Sequence, residues 1–208
     1  MSPSLPYEAI LFVSFGGPEG PDDVIPFLEN VLRGRNVPHE RLLEVADHYQ
    51  HFGGISPINA QTRDLIAAVK SELLARGVPL PVYWGNRNWH PLLPDTISQM
   101  VRDGVQSALV FVVSGYSSYS GCRQYRENLI AVQQLLGETA PRFDKIRSFF
   151  NHPDFIAANI DRMQAALQQI PVESRHAVQV AFTAHSIPTS MAGSCDYVKQ
   201  LTETCGLV

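Results

Sequence analysis

Ala9-Ile-Leu-Phe-Val-Ser14, followed at once by Phe15-Gly-Gly-Pro-Glu-Gly20, is the stretch that decides the fold. Its first part is apolar, β-branched and aromatic up to the final serine, a composition typical of a buried strand. The glycines and proline that follow are typical of a tight turn, where the backbone approaches a neighbour or a ligand closely. The phosphate-cradling Gly-x-Gly-x-x-Gly spacing is missing, so a nucleotide-binding loop is disfavoured. A plain strand-to-helix turn and a ligand-facing loop both remain open.

Apolar runs of the same kind recur along the chain, separated by longer amphipathic stretches. The further predicted strands are Val82–Gly85, Ala108–Ser114, Lys145–Phe149 and Val178–Thr183. The predicted helices are Asp22–Arg33, Glu40–Phe52, Asn59–Arg76, Leu93–Asp103, Gln124–Leu136, Pro153–Gln169 and Tyr197–Thr204. Strands that alternate with helices predict an α/β fold built on a mostly parallel sheet.

Composition places the chain among folded domains. It has 208 residues, of which 45% are hydrophobic and 17% charged, enough to bury a core. A net charge of −4 argues against a general nucleic-acid binder. The N-terminus lacks the pattern of a signal peptide, and no apolar run approaches the ~20 residues that span a bilayer. We therefore expect a cytoplasmic protein without a transmembrane segment, and the three spaced cysteines predict no disulfide framework.

The run Val178-Gln-Val-Ala-Phe-Thr-Ala-His185-Ser-Ile-Pro188 ends an apolar stretch on a histidine. Pro188 bars an immediate helix, because proline lacks an N–H and restricts the residue before it. The pattern predicts a buried strand that delivers one imidazole to the carboxyl edge of the sheet, where ligands bind in open α/β folds. A neutral imidazole there is able to ligate a metal or to accept a proton. The alternative is a histidine that merely caps the strand.

Aromatic residues gather in two loops that are expected at the same edge as His185. Trp84-Gly-Asn-Arg-Asn-Trp89 and Gly115–Tyr125 each follow a predicted strand. Their aromatic residues offer flat faces for a flat ligand, with packing in the core as the alternative; these are Trp89, Tyr116, Tyr119 and Tyr125. Arg33 and Arg35 are suited to carboxylates or, alternatively, belong to a solvated surface.

Five motifs, taken in order, resemble those of the ferrochelatases, which insert ferrous iron into a porphyrin during haem biosynthesis. They are Ser14-Phe-Gly-Gly-Pro-Glu-Gly20, Arg33-Gly-Arg35, His51-Phe-Gly-Gly-Ile-Ser-Pro-Ile-Asn59, Trp84-Gly-Asn-Arg-Asn-Trp89 and Thr183-Ala-His-Ser-Ile-Pro188. Each motif is weak alone, but the ordered set is specific and covers nearly the whole chain. The chain is most similar to the actinobacterial type, many of which use coproporphyrin III; protoporphyrin IX is the alternative substrate.

The resemblance implies a Rossmann-like parallel sheet flanked by helices, in two similar chelatase-like domains with the porphyrin between them. On this basis, residues 1–170 form the N-terminal chelatase domain. Residues 171–208 supply the opening strand and helix of an incomplete second domain, after a polar break at Ile170–Arg175. The chain is thus expected to be a truncated form, and the missing second domain would complete the cleft.

The resemblance also implies roles for single residues. His185 matches the family's catalytic, metal-binding histidine, Ser56 matches its porphyrin-contacting serine, and Tyr125 matches a tyrosine contact. Phe15 stands where some members have a tyrosine facing the metal, so that position offers no axial oxygen ligand. Asn86–Asn88 replaces a loop in which some members carry a histidine.

Ferrous iron and a porphyrin are the implied substrates. The glutamate that the family pairs with its histidine lies beyond Val208. A [2Fe–2S] cluster is expected only in a full-length parent, with Cys122 as a candidate ligand, because one cysteine cannot hold a cluster. The competing hypothesis is a non-catalytic tetrapyrrole-binding protein or an inactive fragment.

Overall fold

A four-stranded parallel sheet forms the centre of the fold in the computed structural model, which describes residues 6–208. Its strands follow the order β2-β1-β3-β4. The bounds are β1 Ala9–Ser14, β2 Val82–Asn86, β3 Ser107–Val112 and β4 Arg142–Lys145. Every pairing is parallel, so the prediction of an α/β fold with a parallel sheet flanked by helices is confirmed.

β1 lies inside the sheet, and all six of its residues are buried. Because strand side chains alternate between faces, Leu11 and Val13 pack into one apolar cluster while Ile10 and Phe12 pack into another. Both faces are therefore covered, which explains why β1 reads as a continuous apolar run rather than as an alternating one.

Helices cover both faces of this sheet. The helices of the described chain are α1 Val24–Leu32, α2 His39–His51, α3 Ile58–Ala75, α4 Leu93–Arg102, α5 Gln124–Leu136, α6 Pro153–Gln168, α7 Thr189–Ala192 and α8 Tyr197–Leu207, of which the last three belong to the second compact unit described below. Residues of α4 and α5 pack in the cluster that holds Leu11, and α3 packs through Ile66 against the opposite face. Within residues 6–208, no helix is long and apolar enough to cross a membrane.

Two of the predicted strands are wrong. The fourth strand is Arg142–Lys145 and not Lys145–Phe149. It is an edge strand that pairs only with β3, so it is half exposed and lacks the apolar run that marks a buried strand. Val178–Thr183 forms no strand. A strand needs an adjacent strand to pair with its backbone N–H and C=O groups, and none of the described residues pairs with this segment.

The described chain divides into two compact units. The first comprises the chain up to Val113 together with Tyr125–Ile146, and it contains the sheet. The second comprises Ser114–Gln124 and Arg147–Val208. In the second unit, Ile156 and Thr204 are the buried side chains among the described residues, so this unit has a small core.

Candidate functional site

The loops after β1 and β2 lie side by side at the carboxyl edge of the sheet. The backbone N–H of Arg87 donates to the Ser14 carbonyl at 3.0 Å, and that of Asn88 donates to the Phe15 carbonyl at 3.1 Å. The Asn88 side-chain amide adds a second bond to the same Phe15 oxygen at 3.2 Å. The glycine-rich loop and the Trp84–Trp89 loop therefore share one edge of the sheet.

A third segment joins this edge through the double glycine that ends α2. Gly53 and Gly54 both have left-handed backbones, with φ of +74° and +70°. The Gly54 N–H donates to the Tyr49 carbonyl at 2.8 Å, and the Gly53 N–H to the Gln50 carbonyl at 2.9 Å. The turn thus satisfies the last carbonyls of the helix and directs the chain towards Ser56.

Ser56 is held directly against the glycine-rich loop. Its backbone N–H donates to the Pro18 carbonyl at 2.8 Å, while the preceding Ile55 forms an antiparallel bridge with Glu19. A Cβ placed on Gly17 would lie 2.6 Å from the Ser56 Cβ and 2.7 Å from its Oγ. Glycine is therefore required at position 17, because any side chain would displace the serine.

Ser56 borders an apolar cavity of about 410 Å³. The lining residues are His48, Tyr49, Phe52, Ile55, Ser56 and Pro57. Phe52 is 82% exposed and Ile55 54% exposed, so large apolar side chains face solvent at its rim. A cavity of this size with an apolar wall and few polar groups is typical of a small-molecule site. It offers a flat apolar ligand a contact surface with a hydroxyl and an imidazole at the margin.

The helices behind this cavity are held by an aromatic cluster. Phe27 of α1 makes edge contacts with Phe15, Tyr49 and Trp89, at ring-centroid distances of 6.2, 5.9 and 6.3 Å. The Trp89 indole also donates to the Asp23 carboxylate at 3.3 Å. The predicted flat face of Trp89 therefore packs against α1, and Phe27 links Phe15 to Tyr49, which lines the cavity.

An exposed ion pair ties the glycine-rich loop to α3. Arg63 donates a hydrogen bond to the Glu19 carboxylate, and its guanidinium lies 5.7 Å from the centroid of the Trp84 ring. This hydrogen bond, followed by the positive charge of Arg63, lowers the pKa of Glu19. Because both side chains are about half exposed, the pair contributes little stability and serves mainly to set the position of the loop.

Sequence reasoning missed two buried carboxamides at this edge. Asn59 and Asn86 are fully buried and hydrogen-bonded to each other. Both residues stand in quoted motifs, Asn59 at the end of the Ile-Ser-Pro-Ile-Asn motif and Asn86 directly after the predicted strand Val82–Gly85, but these motifs do not show that the two side chains meet. A buried polar side chain requires partners, and here it finds them in the neighbouring loops.

Tyr125 lies in the core rather than at this cavity. It is 4% exposed and packs on α5 with Leu129 and Val132, in the cluster that covers one face of the sheet. Burial raises the pKa of Tyr125 from 10.0 to about 12, against a lowering by the positive charge of Arg87. Its role as a ligand contact stays a prediction, and this position does not present the ring to a ligand.

The raised pKa of Tyr125 predicts a loss of stability in alkali. The folded chain binds more protons than the unfolded chain between the unfolded value of 10.0 and the folded value of about 12. The free energy of unfolding should therefore fall through this window, by at most about 2.7 kcal/mol for this group. Urea unfolding between about pH 9 and about pH 12 measures the fall.

Tyr125→Phe is the variant that isolates this effect. It should lose less stability across the same window than the wild type. The pKa of Tyr83 is also raised to about 12, mainly by desolvation, and its contribution is common to both proteins. An equal alkaline loss in the two proteins would show that Tyr125 does not hold its proton more tightly when folded.

Tyr116 belongs to an aromatic group in the second unit. Its ring lies 6.5 Å from Phe150, 6.3 Å from Phe155 and 6.1 Å from Tyr197, measured between centroids. The N–H of Ser117 donates to the Gln200 side chain at 2.7 Å. These contacts join the loop after β3 to α8.

His185 is an exposed residue in an extended segment without regular secondary structure. Its Nδ1 lies 2.6 Å from the Ser186 carbonyl, and its own carbonyl accepts a hydrogen bond from the Tyr197 hydroxyl at 3.1 Å. Because a carbonyl oxygen only accepts, Nδ1 carries the proton in the neutral ring and Nε2 carries the lone pair. The second nitrogen is thus the one suited to bind a metal or to accept a proton.

Among residues 6–208, no group of three or more His, Cys, Asp or Glu side chains is placed to hold a metal ion. Cys122 is a partly buried free thiol in the turn Tyr119–Arg123, and Cys195 and Cys205 are free as well. The described residues therefore do not fit a resident iron–sulfur cluster, which takes several thiolates. The Arg33 guanidinium binds Asn30 of α1, and both Arg33 and Arg35 are exposed.

Comparison with known proteins gives a consistent match. A family model described as Ferrochelatase matches residues 7–208. The ferrochelatase of Rhodopirellula baltica is 59% identical over 208 residues, which cover 100% of this chain and 59% of that protein. The coproporphyrin III ferrochelatases of Nocardia farcinica and Streptomyces coelicolor are 55% and 52% identical, over 88% and 94% of this chain and 52% and 53% of theirs. The chain spans about half the length of the curated relatives it matches.

Proposed function

The chain belongs to the ferrochelatase family, and we propose that it supplies the N-terminal part of an enzyme that inserts Fe²⁺ into coproporphyrin III in haem biosynthesis. The observation that carries this proposal is Ser56, which the family motif assigns to porphyrin contact and which borders an apolar cavity of about 410 Å³. Ferrous iron enters this reaction as a substrate and not as a resident cofactor.

Coproporphyrin III is the preferred substrate in this proposal. Several relatives at about half identity are named coproporphyrin III ferrochelatases. This porphyrin carries more propionate groups than protoporphyrin IX, and the exposed guanidinium of Arg33 or Arg35 is suited to pair with one of them. Protoporphyrin IX is the competing substrate.

Ser56 and the apolar cavity bind the macrocycle. Phe52 and Ile55 offer apolar contact to the flat ring, and the Ser56 hydroxyl supplies a hydrogen bond at the margin. Because the Ser56 N–H is already bonded to the Pro18 carbonyl, the backbone of this segment is fixed before the ligand binds. Because this segment is already fixed, less conformational entropy is lost when the ligand binds.

His185 acts at the metal centre. Metal insertion requires the pyrrole N–H protons to leave as the metal–nitrogen bonds form. With Nδ1 donating to the Ser186 carbonyl, the Nε2 lone pair either accepts such a proton or ligates Fe²⁺, but one nitrogen does not do both at once. The glutamate that completes the family's site belongs to a second domain, which residues 171–208 begin.

A porphyrin-binding measurement tests the role of Ser56. In the complete gene product, Ser56→Ala should raise the Kd for coproporphyrin III by about three- to tenfold, the effect of one lost hydrogen bond. Ser98→Ala is the matched control, because Ser98 is also half buried but lies on α4, and its Kd should equal that of the wild type. An unchanged Kd in Ser56→Ala would remove Ser56 from the site.

The same titration separates the candidate ligands and functions. Coproporphyrin III should bind the wild type with a lower Kd than protoporphyrin IX and displace it. A lower Kd for protoporphyrin IX would contradict the proposed substrate. The 208-residue chain spans about half the length of its relatives. We therefore expect this chain alone to bind a tetrapyrrole without inserting iron.

A further inference from the structure

We propose that Asn59 is a positioning residue that holds Ser56 in place for porphyrin binding, acting through the glycine-rich loop. This inference rests on the function proposed above, and it concerns a residue to which the motif comparison gives no role. Asn59 lies in the first turn of α3, three residues after Ser56, and its side chain is fully buried.

The Asn59 carboxamide joins two loops at the edge of the sheet. Its Nδ2 donates to the Gly17 carbonyl at 3.2 Å and to the His90 carbonyl at 3.3 Å. Its Oδ1 accepts a hydrogen bond from the Asn86 Nδ2 at 3.2 Å. The Nδ2 group thus donates to two carbonyls, and the Oδ1 atom accepts from an amide N–H, so each end of the carboxamide has a partner of the matching kind.

Asn86 completes this network from the end of β2. Its Nδ2 also donates to the His90 carbonyl at 3.0 Å, and its Oδ1 accepts from the Trp84 indole N–H at 2.9 Å. Because both amides are fully buried, each bond that is lost leaves a polar group without water to replace it. The pair therefore fixes the two loops in one arrangement.

Gly17 transmits this arrangement to Ser56. There is no room for a side chain between them, since an added Cβ on Gly17 would lie 2.6 Å from the Ser56 Cβ. The next carbonyl, that of Pro18, accepts the Ser56 N–H at 2.8 Å. A shift of the Gly17 peptide therefore moves Ser56 at the margin of the cavity.

Only a carboxamide fits this position. A carboxylate at residue 59 would accept from Asn86 but would face the Gly17 and His90 carbonyls without a proton to offer. An apolar residue would leave those carbonyls and the Asn86 amide without their partner. Protonation of an aspartate would restore one donor, which gives the aspartate variant a pH-dependent signature.

The test is a double-mutant cycle on the Kd for coproporphyrin III in the complete gene product. Asn59→Ala should raise the Kd by about three- to tenfold in the wild-type background and should have little further effect in Ser56→Ala, because coupled residues are not additive. Thr96→Val is the matched control. It removes a hydrogen bond to the Trp84 carbonyl near the same strand and should leave the Kd unchanged.

Asn59→Asp covers the case in which the alanine variant does not fold. Its Kd relative to the wild type should improve as the pH is lowered and the new carboxyl group becomes protonated. An Asn59 variant that folds and binds like the wild type, or whose effect adds fully to that of Ser56→Ala, would overturn the positioning role. Failure of the wild type itself to bind the porphyrin would instead overturn the proposed function.

Discussion

Replacing His185 with alanine in the complete gene product is expected to lower the rate of Fe²⁺ insertion by about two to four orders of magnitude, the usual contribution of a catalytic acid or base. The imidazole is exposed, and its Nδ1–H is committed to the Ser186 carbonyl, so Nε2 is the nitrogen that we propose to act on the pyrrole proton or the metal. The Kd for the porphyrin should change far less than the rate of insertion, because the His185 imidazole is proposed to act at the metal centre and not at the edge of the macrocycle.

His176→Ala is the control for this experiment. His176 is another exposed histidine of the same unit, in the short helix Val172–Ala177, and its replacement should leave the insertion rate unchanged. The measurement is haem formation under anaerobic conditions, with the rate and the porphyrin Kd determined separately. A near-normal rate in His185→Ala would remove His185 from the reaction.

Gly54→Ala is expected to have the largest effect on stability, lowering the free energy of unfolding by about 2–5 kcal/mol. The left-handed backbone at φ +70° penalises any side chain, and a Cβ would lie 2.4 Å from the Cα of Pro21. Backbone atoms cannot rotate away as a flexible side chain does, so the segment that leads into Ser56 must shift. We therefore expect weaker porphyrin binding together with the lost stability.

The neighbouring glycine provides the matched comparison. Gly53 has almost the same backbone conformation, with φ +74°, but an added Cβ would meet nothing within 4 Å. Gly53→Ala should therefore lose only the conformational part, about 1–2 kcal/mol. Urea unfolding of both variants measures the difference. Equal losses in the two variants would show that the contact with Pro21 is not what requires glycine at position 54.

The sheet was largely predictable from the sequence because its central strands are buried on both faces. β1 was predicted with its observed bounds, and β2 and β3 within two residues at their ends. β4 was missed because it is an edge strand. Arg142-Phe-Asp-Lys145 is hydrogen-bonded to a neighbouring strand on one side only and shows no apolar run.

The segment before His185 was predicted as a strand that the structure does not contain. Val180 and Phe182 have the composition of a buried strand, yet each is 52% exposed and no described strand pairs with them. Composition reports the environment that a segment is suited to, whereas pairing depends on which other strands are present. The prediction of residues 171–208 as the start of a second domain offers such a partner sheet, and it stays a proposal.

The candidate site was predictable in its motifs but not in its internal contacts. Ser56 was identified from the Gly-Gly-Ile-Ser-Pro motif, and the structure places it at the apolar cavity. The family resemblance assigned Tyr125 to ligand contact, but on α5, whose bounds were predicted as observed, its ring packs into the core. Asn59 and Asn86 act through hydrogen bonds between residues distant in sequence, which no local pattern reveals.

Anaerobic Fe²⁺ insertion by the complete wild-type gene product, with coproporphyrin III and protoporphyrin IX supplied separately, tests the proposed function most directly. We expect sustained formation of the iron porphyrin from coproporphyrin III, at a kcat/KM clearly above that for protoporphyrin IX. Porphyrin binding without metal insertion into either compound would contradict a ferrochelatase and would leave a tetrapyrrole-binding protein in its place.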